Sequence, residues 1–118
     1  VLLLPLTEET FHIINNETLS FMPRNAAIIN AGRGDLIDDG ALLKKLKSGH
    51  LSNATLDVFS VEPLPSNHPY WLNPRVTVTP HIAADTPVGS SSRAIAMNID
   101  LIMQGKRPLG LVDIKKGY

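Results

Sequence analysis

Four polar residues stand at or just beyond the ends of short apolar runs: Arg33 after "AAIINAG", Asp57 after "ATL", Glu62 in "SVEPLP" and His81 in "TVTPH". Their types define a chemistry. An imidazole can give and take a proton near neutral pH, and a carboxylate close to it favours its charged form. A planar guanidinium can bond both oxygens of a ligand carboxylate at once. Arg33, Glu62 and His81 could therefore hold a small acid and protonate a carbonyl as it is reduced. Each residue also has a plainer reading. Arg33 could be a solvated turn residue, or the glycines beside it, Gly32 and Gly34, could let backbone approach a ligand closely. Asp57 could cap a helix, shape a turn or accept a hydrogen bond from a cofactor amide. Glu62 could be a loop carboxylate, and His81 a histidine satisfied by a neighbour. Trp71, in "HPYW", reads as a packing anchor. His12, His50 and His68 have no metal-ligand spacing and read as surface or loop residues; no metal site is expected.

Four apolar runs must position these groups: Val1–Leu4, Ala26–Ile29, Ala54–Leu56 and Val76–Val78. Each is strand-length and mostly continuous, the pattern of strands buried on both faces. Helical patterns lie between them. Thr7 suits the cap of a short helix opening with Glu8 and Glu9. Asp38 suits the cap of a second, with Leu42, Leu43 and Leu46 on one face and Gly49 just past its end. Thr86-Pro87 reads as the cap and first residue of a longer helix that Gly105 and Pro108 stop. Residues 60–74 carry four prolines and read as an ordered irregular loop. Strands alternating with helices imply an α/β fold with a parallel sheet. In such sheets ligands bind beyond the carboxyl ends of the strands, where all four polar sets would converge.

Composition narrows the function classes. The 118 residues carry 11 Lys and Arg against 11 Asp and Glu, a net charge of zero, and the basic residues are scattered. That argues against a nucleic acid or an anionic membrane as partner. Without cysteine there is no disulfide framework or thiolate metal site. The apolar opening, Val1–Leu6, is too short to span a bilayer and lacks the basic lead-in of a signal peptide, so a cytoplasmic protein is expected. The chain starts inside an apolar run without methionine, and is expected to be part of a longer polypeptide.

Several stretches in order, "LPLTEET", "INAGRGDLID", "ALLKKLKSGHLSNATLDVFSVEPLP" and "VTVTPHIAADT", resemble the D-isomer-specific 2-hydroxyacid dehydrogenases. The resemblance runs from Val1 to about Gly105, and the ending "GKRPLGLVDIKKGY" is most similar to the glyoxylate/hydroxypyruvate reductase A branch. It implies that Arg33 binds and polarises a 2-oxo acid, that His81 is the acid/base and that Glu62 supports it. It implies that Asp57 contacts the nicotinamide carboxamide of NAD or NADP. Pro5, Leu6, Thr7, Asn30, Ala31 and Gly32 would line the cofactor, and Ala83 would let the nicotinamide lie close. The formate dehydrogenase branch has glutamine in place of Glu62, so the resemblance favours a keto-acid reductase.

The departures are as informative. The family's G-x-G-x-x-G phosphate loop and the selector residue after it do not occur in these 118 residues. The expectation is the C-terminal half of a doubly wound, Rossmann-like domain over residues 1–100, with residues 101–118 completing a crossing helix and returning to a substrate domain. Alone it should be inactive, and an uncovered sheet edge should drive homodimerisation or another association. A second reading is a nucleotide-sensing corepressor scaffold, a binding module on the same fold.

Overall fold

A computed structural model describes all 118 residues, which divide into two units, Val1–Ala83 and Ala84–Tyr118. The first holds a three-stranded parallel sheet, with β1 over Ala26–Asn30, β2 over Leu51–Leu56 and β3 over Val76–Val78, in the order β1-β2-β3. Helix α1 covers Asn16–Ser20 and α2 covers Asp39–Lys47; single 3-10 turns occupy Gly34–Leu36 and Pro69–Leu72. The α/β class and the parallel sheet are as expected.

Helix α2 forms as its sequence dictates. Asp38 accepts a hydrogen bond from Ala41 N at 3.0 Å. At the other end Gly49 takes φ +70, Gly49 N donates to Leu46 O and His50 N to Lys45 O, closing the helix with a left-handed residue. The cap contributes about 1 kcal/mol. Leu42 and Leu46, both fully buried, contribute about 2 kcal/mol each, so packing rather than capping holds this helix. They join Leu19, Ile28, Leu51, Ala54, Leu56 and Tyr70 in one core.

Several expectations are corrected. Val1–Leu4 is not a strand: only Leu2 pairs, through a single parallel bridge to Asn30. The strands are not buried on both faces. In β1, Ile28 and Asn30 are buried while Ala27 and Ile29 are exposed, the alternation of a sheet covered on one side. Thr7 opens no helix. Its hydroxyl accepts from Thr10 N and its carbonyl from Phe11 N, and the turn ends at His12, where φ is +49. The helix lies further on at Asn15, whose side chain accepts from Glu17 N and Thr18 N while Thr18 Oγ1 accepts from Asn15 N.

The second unit is built on α3, Val88–Met103. Pro87, not Thr86, is its cap, with φ −66 and no side-chain bond. Gly105, at φ +68, closes it as expected, with Gly105 N donating to Ile102 O and Lys106 N to Leu101 O. Asn98 ties the tail to the helix, donating to Leu109 O and accepting from Leu109 N. None of its residues is buried. No helix is long and apolar enough to cross a membrane.

Candidate active site

Parallel register brings the predicted residues to one edge. Asn30 pairs with Leu56 and Leu56 with Val78, so the chain leaves all three strands at the same level. Ala31-Gly32-Arg33, Asp57 and Thr79-Pro80-His81 follow directly. The Leu2 bridge brings in the opening stretch, and a Cβ on Gly32 would lie 3.0 Å from Leu4 O. Pro5–Thr7 therefore follow the segment that packs on the Asn30 turn.

Asp57 organises this edge. It is 4% exposed, and its backbone N donates to Asn30 O while its carbonyl accepts from His81 N. One carboxylate oxygen accepts from Thr79 Oγ1 and from Ile82 N, the other from Ala83 N. Burial alone would raise its carboxyl, but these bonds outweigh it and hold the group below the usual carboxylate range, with His81 adding a smaller effect. The turn so formed holds His81 at φ +54, in the left-handed region that few residues other than glycine adopt. Of the readings open to Asp57, turn shaping is the one these contacts describe. Asp57→Asn would set an amide against the Ala83 N–H and should lower stability by about 2 kcal/mol. Urea unfolding of the two proteins checks this, and equal midpoints would deny Asp57 that role.

Glu62 sits 19 residues from His81 in sequence, yet its Oε2 lies 2.8 Å from His81 Nδ1. Its other oxygen accepts from Phe59 N at 2.9 Å. The bond to His81 first, then the one from Phe59, hold the Glu62 carboxyl below the usual range, and the Arg33 guanidinium adds to this. The side chains of His81 and Glu62 are 53% and 36% exposed. They form the polar wall of a cavity of about 570 Å³ whose other walls are Phe59, Pro63, Leu64, Trp71, Val78 and Pro80. With Nδ1 held by the carboxylate, Nε2 is the ring nitrogen left to exchange a proton with a ligand.

Arg33 is exposed and donates from Nη1 to Gly32 O at 2.7 Å. Gly34 makes room for backbone. A Cβ on Gly34 would lie 2.0 Å from Phe59 C and 2.3 Å from Ser60 N, so the Arg33 loop and the Glu62 loop meet backbone to backbone. At Gly34 the close approach is to the chain itself. Asn30, 1% exposed, spends its side chain on its own turn, donating to Arg33 O and accepting from Gly32 N.

Sequence reasoning missed other parts of the site. Trp71 is half-exposed, donates from Nε1 to Pro65 O and lines the cavity, so it is a wall rather than a buried anchor. His12, His50 and His68 are all partly buried. His50 Nε2 lies 3.1 Å from Leu19 O, and His12 stacks on Phe11. His68 packs on Tyr70 and faces Asp39. A polar residue inside "HPYW" was the available signal for that cluster.

Residues 1–83 match the family described as D-isomer specific 2-hydroxyacid dehydrogenase, NAD binding domain. The chain belongs to that family. A glyoxylate/hydroxypyruvate reductase A of Yersinia enterocolitica is 46% identical over 116 residues, and one of Serratia proteamaculans is equally so; the match covers 98% of this chain. The chain spans 37% of the length of these curated relatives. Among solved dehydrogenases of the family, one from Xanthobacter autotrophicus Py2, in complex with NADPH and MES, superposes with a TM-score of 0.94 at 45% identity, covering 98% of this chain and 48% of that one. An NADPH-dependent glyoxylate/hydroxypyruvate reductase of Sinorhizobium meliloti, in complex with NADP and sulfate, gives 0.91 at 38% identity, covering 98% of this chain and 38% of that one.

Proposed function

We propose that the intact enzyme containing this chain reduces a small 2-oxo acid of the glyoxylate or hydroxypyruvate type, using NADH or NADPH. The observation that carries this reading is the 2.8 Å contact between His81 Nδ1 and Glu62 Oε2 on the cavity wall. Family membership and the NADPH- and NADP-bound relatives support it.

The residues at the strand ends fit the nicotinamide half of the cofactor. Pro5, Leu6, Thr7, Ala31, Gly32 and Ala83 are small or neutral, and Leu6 and Ala83 are exposed. They suit a flat, uncharged ring rather than a phosphate. When bound, the nicotinamide supplies the hydride. Arg33 grips the substrate carboxylate with its two-pronged guanidinium. His81 Nε2 gives its proton to the carbonyl oxygen as that oxygen becomes an alkoxide, and takes it back in the reverse direction. Glu62 holds the ring by Nδ1 and balances the imidazolium charge. Self-association belongs to the same reading. On its outer edge β1 meets only the Leu2 bridge, and a further strand, from the same polypeptide or a second copy, would satisfy the remaining backbone groups.

The test is a steady-state assay of NAD(P)H oxidation with glyoxylate, run on the intact enzyme as wild type and Glu62→Gln. Glutamine keeps an oxygen for the bond to Nδ1 but lacks the charge that balances an imidazolium. Turnover therefore falls about tenfold with KM little changed. No glyoxylate-dependent oxidation by wild type would refute the activity, and unchanged turnover in Glu62→Gln would refute the pairing.

A further inference from the structure

Beyond the acid/base pair lies a second polar cluster, at the start of α2. Tyr70 is 2% exposed, and its hydroxyl donates to Asp39 Oδ1 at 2.7 Å. His68 Nε2 stands 3.7 Å from Asp39 Oδ2, and its ring packs on Tyr70 with centroids 4.5 Å apart. On its other side Tyr70 meets the ring of Phe59, centroids 6.5 Å apart. The backbone N–H of Phe59 is the second donor to Glu62. The contacts thus form a continuous series: Asp39, Tyr70, Phe59, Glu62, His81.

We infer that Asp39 and Tyr70 are positioning residues that clamp the proline-rich loop to α2 and so hold Glu62 in register with His81. The loop needs such a clamp. Residues 60–68 contain no helix or strand, and the carboxylate they carry is exposed enough to turn towards solvent. A rotation of Glu62 would break the bond to Nδ1 and leave the ring free to turn. The donor in the clamp is the Tyr70 hydroxyl. Burial first, then the bond to Asp39, push the Tyr70 phenol far above its ordinary value, so it remains a donor throughout. The charged groups facing the pair it steadies are Asp57, beside His81, and Arg33, beside Glu62.

This inference rests on the functional reading above, but one of its tests does not use activity. In Tyr70→Phe the ring and its packing remain while the bond to Asp39 is lost. The carbon-13 titration of the Glu62 carboxyl should then shift upward, towards the ordinary carboxylate range, because its bonds to His81 and Phe59 loosen. Turnover of glyoxylate should fall about tenfold with KM little changed, a loss of orientation rather than of binding. Asp39→Ala should reproduce both effects. Asp39→Asn keeps an oxygen for the Tyr70 hydroxyl and should restore both. A purely structural role would lower the melting temperature of Tyr70→Phe and leave the Glu62 titration where it is; that result overturns the clamp, whether or not wild type reduces glyoxylate. Should both the alanine and the phenylalanine variant fail to fold, Asp39→Ser decides, since its shorter side chain suits the start of α2 but falls short of the Tyr70 hydroxyl: a Glu62 titration shifted upward in it upholds the clamp, and one matching wild type contradicts it.

Discussion

In the intact enzyme proposed above, His81→Ala is expected to lower kcat for 2-oxo acid reduction by about a hundredfold or more, the scale of a lost general acid. The side chain is half-exposed on the cavity wall, and its one protein partner is Glu62. Removing it leaves the Asp57 turn intact, since that turn is held through the His81 backbone and the amides after it. NAD(P)H binding, followed by fluorescence, should therefore be unchanged while turnover collapses. The comparison is made at the pH optimum with saturating cofactor. Turnover near that of wild type would remove His81 from the chemistry.

Gly34→Ala is expected to be as damaging with no loss of any functional group. The added methyl would lie 2.0 Å from Phe59 C and 2.4 Å from Phe59 O, and neither atom can swing aside as a side-chain tip could. The two loops must part, carrying Arg33 from one side and Glu62 from the other. A displacement near 1 Å at a reacting group costs about a hundredfold in rate, and overpacking of this kind costs about 3 kcal/mol in stability. Gly89→Ala is the control: its new methyl would meet nothing nearer than Arg93 Nη1, at 4.0 Å. Melting temperature and kcat/KM are measured on both. Equal behaviour of the two variants would mean that the loops do not need their close contact.

Much of this could be read from the residues, and the failures have physical causes. The runs Ala26–Ile29 and Val76–Val78 became strands because β-branched and apolar residues suit a half-buried pleated surface. Asp38 and Gly49 marked α2 because capping is local chemistry, complete within four residues. Val1–Leu4 looked like a strand for the same apolar reason, but a strand also needs a neighbour along its whole length, and only Leu2 finds one. The short helix at Asn16 carries too few apolar residues to show a period; its signal is the Asn15 and Thr18 pair. At the site, each residue type was legible and each contact was not. Glu62 and His81 meet across 19 positions, and Asp39 and Tyr70 across 31. Local propensity carries no information about such pairings. The glycines of "AGRG" show the difference plainly: their smallness was legible, and what they make room for was not.

The turn around Asp57 has a consequence for how the site meets its ligands. Every hydrogen-bonding group that shapes it, from the Asn30 carbonyl to the Ala83 amide, already has its partner within the chain. The imidazole is thus aimed before anything arrives, and none of the binding energy of a substrate is diverted into freezing the turn. The backbone that carries His81 is preorganised: its dipoles took their places when the polypeptide folded.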